Sequence, residues 1–299
     1  MTERRDDWER YWRDAPAAAS GATLSDLPAA VRQRLDAPWA RLAAALPPKA
    51  KVLDLATGGG IVLALLKQAK ANLVLTGVDA APELPKRPGM TLKGGVATER
   101  LPFPDASFAA VTSRFGIEYG PLDIGAAEAA RVCRPGAHIC FILHHADSPV
   151  LRHNRDRLKA LRWAAHESGW MEKAANLVRA RAAAALPTPA AFRTAPGEAA
   201  KHFPGQSVGP EFLTGLVQLL DAGLGRPGAA VPGLTVLSER ANDEIGRLDA
   251  LLGAACDADR LAVLTRALAY GGVALAPVGT IDERPGGEPL AWLVEGRRA

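Results

Sequence analysis

Between Lys51 and Asp79 the chain carries a pattern that few folds accommodate. An apolar strand, Lys51–Leu55, runs straight into Ala56-Thr57-Gly58-Gly59-Gly60, and residues 61–68 then follow helical spacing. A second apolar strand over 73–78 ends on Asp79. Glycines at such a turn let the backbone bend tightly against a ligand. An acid closing the neighbouring strand can accept hydrogen bonds from ribose hydroxyls. Strand, glycine turn, helix and strand in that order predict a βαβ unit in a parallel sheet, with a ligand held beyond the carboxyl ends of the strands. The competing reading is an ordinary helix start behind a flexible loop, with Asp79 as a turn residue.

The pattern continues downstream. Strands are expected at 90–92, 107–113, 137–143, 272–281 and 290–294, which with the first two makes seven. A helix over 125–133 is stopped by Arg134-Pro135-Gly136. The last two strands can pair antiparallel at the sheet edge. Between 151 and 270 the strand pattern pauses for helical segments and a proline-rich connection. The expected organisation is an N-terminal helical cap (1–50), a cofactor-binding core (51–150), a helical insert over the active site (151–270) and a closing strand pair (271–299). The fold class is α/β, a doubly wound, mostly parallel seven-stranded sheet with a helical insert.

Composition limits the function. The net charge on 299 residues is a mild +4, and a nucleic-acid binder would show itself by basic charge concentrated on one face, which a total does not reveal. The basic run from Arg152 to Arg162 is read first as a solvated helix face, and second as a patch for an acidic substrate or nucleic acid. Cys133, Cys140 and Cys256 are odd in number and far apart, which suits neither a disulfide framework nor a metal site. No apolar run reaches membrane-spanning length, and the first residues lack a signal-peptide core, so the expected location is cytoplasmic. A homodimer remains open.

The glycine turn suits a nicotinamide dinucleotide poorly. The fingerprint for that ligand wants a small residue three positions after its second glycine, and Gly60 is followed there by Leu63. S-adenosyl-L-methionine has no phosphate, and its carboxylate and amine can be held by the loop backbone.

Four blocks resemble the class I S-adenosylmethionine-dependent methyltransferases, in the subgroup that includes the ubiquinone/menaquinone C-methyltransferases. They are VLDLATGGG (52–60), LTGVDA (75–80), LPFPDASFAAVTSRFGIEY (101–119) and RVCRPGAHICFI (131–142). The resemblance implies a Rossmann-like methyltransferase fold, S-adenosyl-L-methionine as cofactor and a small organic acceptor. It implies cofactor contacts from Asp54, Ala56, Gly58, Gly60, Asp79 and Ala80. Ala56 stands where the family has its first glycine, and Ala97 where it often has an adenine-binding aspartate. Adenine packing is therefore expected from Ala80, Leu101 and Phe115.

Methyl transfer requires no universal catalytic residue, so a base must be sought by position. His144 and His145 follow the fifth strand, and one of them is expected to face the pocket. Arg114, Glu118 and Tyr119 follow the fourth, where Tyr119 can orient an acceptor and Arg114 can pair with an anionic one. Trp8, Tyr11 and Trp12 share one helix face and can close over a cationic sulfonium, or serve as core. Trp163, Trp170 and Met171 can line an apolar pocket or pack the insert. The alternatives are a protein or nucleic-acid methyltransferase and a non-catalytic binding protein on the same fold.

Overall fold

The computed structural model describes residues 27–181, 183–184, 186–225 and 227–299. The chain forms two compact units, one of residues 1–151 and 253–299, the other of residues 152–252.

The larger unit is built on a mixed sheet. Its strands are β1 (Lys51–Leu55), β2 (Val74–Val78), β3 (Thr91–Lys93), β4 (Phe108–Arg114), β5 (Cys133–His144), β6 (Val273–Leu275), β7 (Gly279–Asp282) and β8 (Pro289–Arg298). They lie in the order β3-β2-β1-β4-β5-β8-β6, with β7 also pairing β8. The first five are mutually parallel, and β8 runs antiparallel to β5. After β1 the chain winds outward through β2 and β3, then returns to lay β4 against the other side of β1. That reversal makes the β1/β4 crevice the topological switch point, where sheets of this kind bind ligands.

Alternation along the strands sends side chains to two cores. On one face, Leu53, Leu55, Val111, Ile139 and Phe141 meet α3 (Leu122–Val132) and α9 (Ala258–Tyr270). Ala126, Ala129 and Ala130 are fully buried there, and such small side chains let the layers approach closely. On the other face, Val52, Ala110, Cys140 and Ile142 meet α1 (Ala29–Ala45) and α2 (Ile61–Ala69) through Leu35, Trp39, Leu63 and Leu66. Leu63, which spoils a dinucleotide fingerprint, is thus a core residue.

The doubly wound α/β architecture is as the sequence predicts, with two differences in detail. The sheet has eight strands rather than seven, because the segment expected as one strand over 272–281 splits at Pro277. Proline lacks the N–H that a ladder needs, so β6 and β7 pair separately along β8. Strand β5 also starts earlier than expected, at Cys133. Cys133 pairs with Phe108, and the register then jumps to Ala110 with His138, so Pro135 and Gly136 are carried in a bulge.

The smaller unit holds most of α4 (Pro149–Arg162), then α5 (Trp170–Ala180), α6 (Ala195–His202), α7 (Val208–Ala222) and most of α8 (Pro227–Ala254). Trp170, Phe192, Leu213, Leu216 and Leu220 form its core. Arg181 is buried there, with its guanidinium donating to the Leu186 and Leu220 carbonyls and to Thr188 Oγ1. Trp163 stacks on His202 at 4.9 Å, and Met171 packs against the same core. Helix α9, grouped with the insert on sequence, belongs to the sheet unit and packs on α3.

Candidate active site

The glycine turn leaves β1 through three residues with left-handed backbone. They are Ala56 (φ 50°), Gly58 (φ 48°) and Gly60 (φ 76°). Two of these are glycines, which adopt that region at little cost, whereas Ala56 does so under strain. The Thr57 amide donates to the Val78 carbonyl at 2.9 Å, and the Gly58 amide to Asp79 Oδ2 at 2.8 Å. Asp79 Oδ1 accepts from the Ala81 amide at 2.9 Å. One carboxylate thus joins the turn after β1 to the turn after β2. The Ala80 amide also donates to this carboxylate, and Ala80 itself is exposed.

Two glycines outside the motif shape this turn. A Cβ on Gly77 would lie 2.6 Å from the Thr57 side chain, and one on Gly116 would lie 2.5 Å from the Cβ of Ala56. Neither is singled out by the sequence, although a glycine inside a strand such as VLTGV signals a close approach.

Beneath the turn lies Asp54, only 1% exposed. Thr57 Oγ1 donates to its Oδ2 at 2.6 Å, and Thr112 Oγ1 to its Oδ1 at 2.8 Å. Burial pushes its carboxyl up to about 7, against the opposing pull of the two hydroxyls. Burial also raises Asp79, while the amides of Ala81 and Gly58 hold it down. The Asp54 carboxyl is therefore poised to gain from a cation placed nearby.

Arg114 does not wait for an anionic substrate. Its buried guanidinium pairs with Asp36 of α1, Nη1 to Oδ1 at 2.8 Å, and burial lowers its proton affinity.

A second cluster forms at the ends of β4 and β5. Phe115 has φ 55°, an outlier for so bulky a residue, with its amide donating to the Ile142 carbonyl at 2.8 Å. Its ring lies on that of His144, centroids 4.3 Å apart, and Tyr119 presents itself edge-on to the imidazole at 6.1 Å. Glu118 sits in a 3₁₀ turn, 1% exposed. Its Oε1 accepts from the His144 amide at 3.0 Å and lies 2.9 Å from His144 Nδ1. Its Oε2 is buried without a partner among the described residues, as is Arg260 Nε, while Arg260 Nη2 donates to the Glu118 carbonyl.

The adjacent histidines have parted roles. His145 is buried, stacks on Trp292 at 4.2 Å and accepts from the Asp147 amide through Nδ1 at 3.1 Å. Burial lowers its proton affinity.

Asp54, Ala56, Gly58, Gly60, Asp79 and Ala80 are therefore gathered around the ends of β1 and β2. Leu101 and Phe115 are not brought together. Leu101 is buried in the α3/α9 core, its amide donating to Glu128 Oε2 at 2.8 Å, while Phe115 packs against the α1/α2 core. At Ala97 no side chain can replace an acid, and the nearby Glu99 accepts from Thr98. Trp8, Tyr11 and Trp12 lie outside the described residues.

The model of a family described as a methyltransferase domain matches residues 28–186. A demethylmenaquinone methyltransferase of Deinococcus radiodurans is 34% identical over 121 residues, covering 36% of this chain and 50% of that protein. One of Beutenbergia cavernae is 40% identical over 113 residues, covering 36% of this chain and 44% of that protein. The chain thus spans about half the length of the curated relatives it matches. Among solved structures, a possible histamine N-methyltransferase of Thermotoga maritima is 12% identical, with a TM-score of 0.47 over 99% of this chain and 100% of that one. By its family match, its sheet order and its glycine turn, the chain belongs to the class I S-adenosylmethionine-dependent methyltransferase family.

Proposed function

We propose that this protein transfers a methyl group from S-adenosyl-L-methionine to a small organic acceptor. The carrying observation is the hydrogen bond from the Gly58 amide to Asp79 Oδ2, which joins the end of β1, one wall of the β1/β4 switch point, to the end of β2. The residues present fit the cofactor. Asp79 stands at the strand ends with carboxylate lone-pair capacity left for a ribose hydroxyl, and Asp54 supplies a buried carboxyl that an ammonium group would ionise. When bound, the cofactor supplies an electrophilic sulfonium methyl.

In this reading Asp54, Ala56, Gly58, Gly60, Asp79 and Ala80 hold the cofactor. His144 takes the acceptor's proton and Tyr119 orients the acceptor. His145, stacked on Trp292, supports the end of β5 instead of reacting. Such a site works by holding its reactants close and excluding water. No helix among the described residues is long and apolar enough to cross a membrane, and a cytoplasmic enzyme acting on a small molecule is the reading adopted.

A thermal-shift comparison tests the cofactor. S-adenosylmethionine and S-adenosylhomocysteine should raise the melting temperature, because ligands of the folded state stabilise it by mass action. NAD should not, and a response to NAD alone defeats the proposal. Labelled S-adenosylmethionine offered with a panel of phenols, amines and reduced demethylmenaquinone then identifies the acceptor class.

A further inference from the structure

We propose that Glu118 is the positioning residue of a Glu118–His144 pair in which His144 Nε2 is the general base; this rests on the methyltransferase reading above. Burying a carboxylate is costly, and capping one backbone amide does not require it. Glu118 Oε1 meets both the amide and the ring Nδ1 of His144, so the carboxylate anchors the strand end and the imidazole together. A proton on Nδ1 is then held by the carboxylate, which leaves Nε2 as the ring's acceptor. No partner for Nε2 is seen among the described residues, and the side chain is 16% exposed. Phe115 fixes the ring plane from one face, and its left-handed backbone is the strain accepted for that placement.

The charge balance explains why a carboxylate is present. As the acceptor atom bonds the methyl carbon, the sulfur–carbon bond breaks and sulfur keeps the electron pair as a neutral thioether. The acceptor's proton passes to Nε2. A positive charge is lost at sulfur and gained at the imidazole, where Glu118 stands opposite it.

Nitrogen-15 NMR of the histidine rings, in protein saturated with S-adenosylhomocysteine, reads this directly. The parent should show His144 as the Nδ1–H tautomer. Glu118→Ala should lose that preference and give a mixture, and Glu118→Gln, whose amide oxygen still accepts, should retain it. An Nε2–H ring in the parent, or a tautomer unchanged in Glu118→Ala, overturns the proposal. Should Glu118→Ala not fold, the parent spectrum alone decides. The S-adenosylhomocysteine thermal shift is read separately in every variant and should be unchanged. Its absence in the parent would count against the cofactor, not against the pair.

Discussion

A Cβ built on Gly116 would lie 2.5 Å from the Cβ of Ala56, so the glycine beyond β4 makes room for the alanine beyond β1. The two positions are coupled across the crevice. Ala56 departs from the family's glycine and adopts φ 50° to do so. Left-handed backbone costs a non-glycine residue about 1–2 kcal/mol, which is offset in part by the smaller entropy of the unfolded alanine chain. Ala56→Gly should therefore stabilise the protein by roughly 0.5–1 kcal/mol. Gly116→Ala should destabilise it by about 1–3 kcal/mol through overpacking. In the double variant most of that second cost should vanish. Urea denaturation of the four proteins gives the coupling, and simple additivity would contradict the shared-space account.

Asp54 makes stability depend on pH. Its folded value of about 7 lies above the ordinary value of 3.8, so the folded state favours the protonated form. The group's stabilising contribution is full below the unfolded value and is lost as pH rises through the folded one. Asp54→Asn should flatten the stability profile between about pH 4 and 7 relative to the parent. The cofactor's ammonium group reverses the balance, so S-adenosylmethionine should give a larger thermal shift at pH 8 than at pH 6. Denaturation curves across that range, with and without cofactor, check both signs.

Asp79 carries structure and binding at once. Asp79→Ala frees the Gly58 and Ala81 amides and removes the ribose acceptor. It should cost about 1–3 kcal/mol of stability. Cofactor affinity should fall at least about tenfold, or ~1.4 kcal/mol. Calorimetric titration with S-adenosylhomocysteine measures the second effect. Retained affinity would move the ribose away from this carboxylate.

The Arg114–Asp36 pair ties α1 to the end of β4. Removing Asp36 strands a buried guanidinium, and Asp36→Ala should cost about 1–3 kcal/mol, less than for a fully buried pair because Asp36 is partly exposed. Adding Arg114→Met should recover much of the loss. A double variant no more stable than Asp36→Ala would show that the guanidinium is solvated in other ways.

Local pattern carried far here. Strand β1 was legible to the residue, because an apolar run ends abruptly on a glycine turn, and Asp79 was legible as the acid closing β2. What escaped the sequence depends on three-dimensional approach. Gly77 and Gly116 look like any strand or loop glycine until Thr57 and Ala56 are set against them. Glu118 stands out in the sequence only as one of three candidates following the fourth strand, and nothing in FGIEY states that its carboxylate is buried against the ring of a residue far along the chain. The adjacent His144 and His145 are equivalent as letters, and strand alternation together with Trp292 separates them. Pro277 did carry a signal for the split of β6 from β7, since a proline inside a strand run marks an interrupted ladder.

Strand β8 reaches β5 only after residues 152–252 have intervened. On the ribosome, β1 to β5 emerge first, and the outer edge of β5 stays open until Pro289–Arg298 are made. An unpaired edge on a finished parallel sheet invites pairing with other chains. The intervening helices have their own core, so they can fold while the edge waits and shorten the effective loop. The entropy of closing that loop grows slowly, by about 0.6 kcal/mol per doubling of its length. The cost of the interruption is thus mainly one of timing during synthesis, and fragments ending before residue 289 should be the aggregation-prone ones.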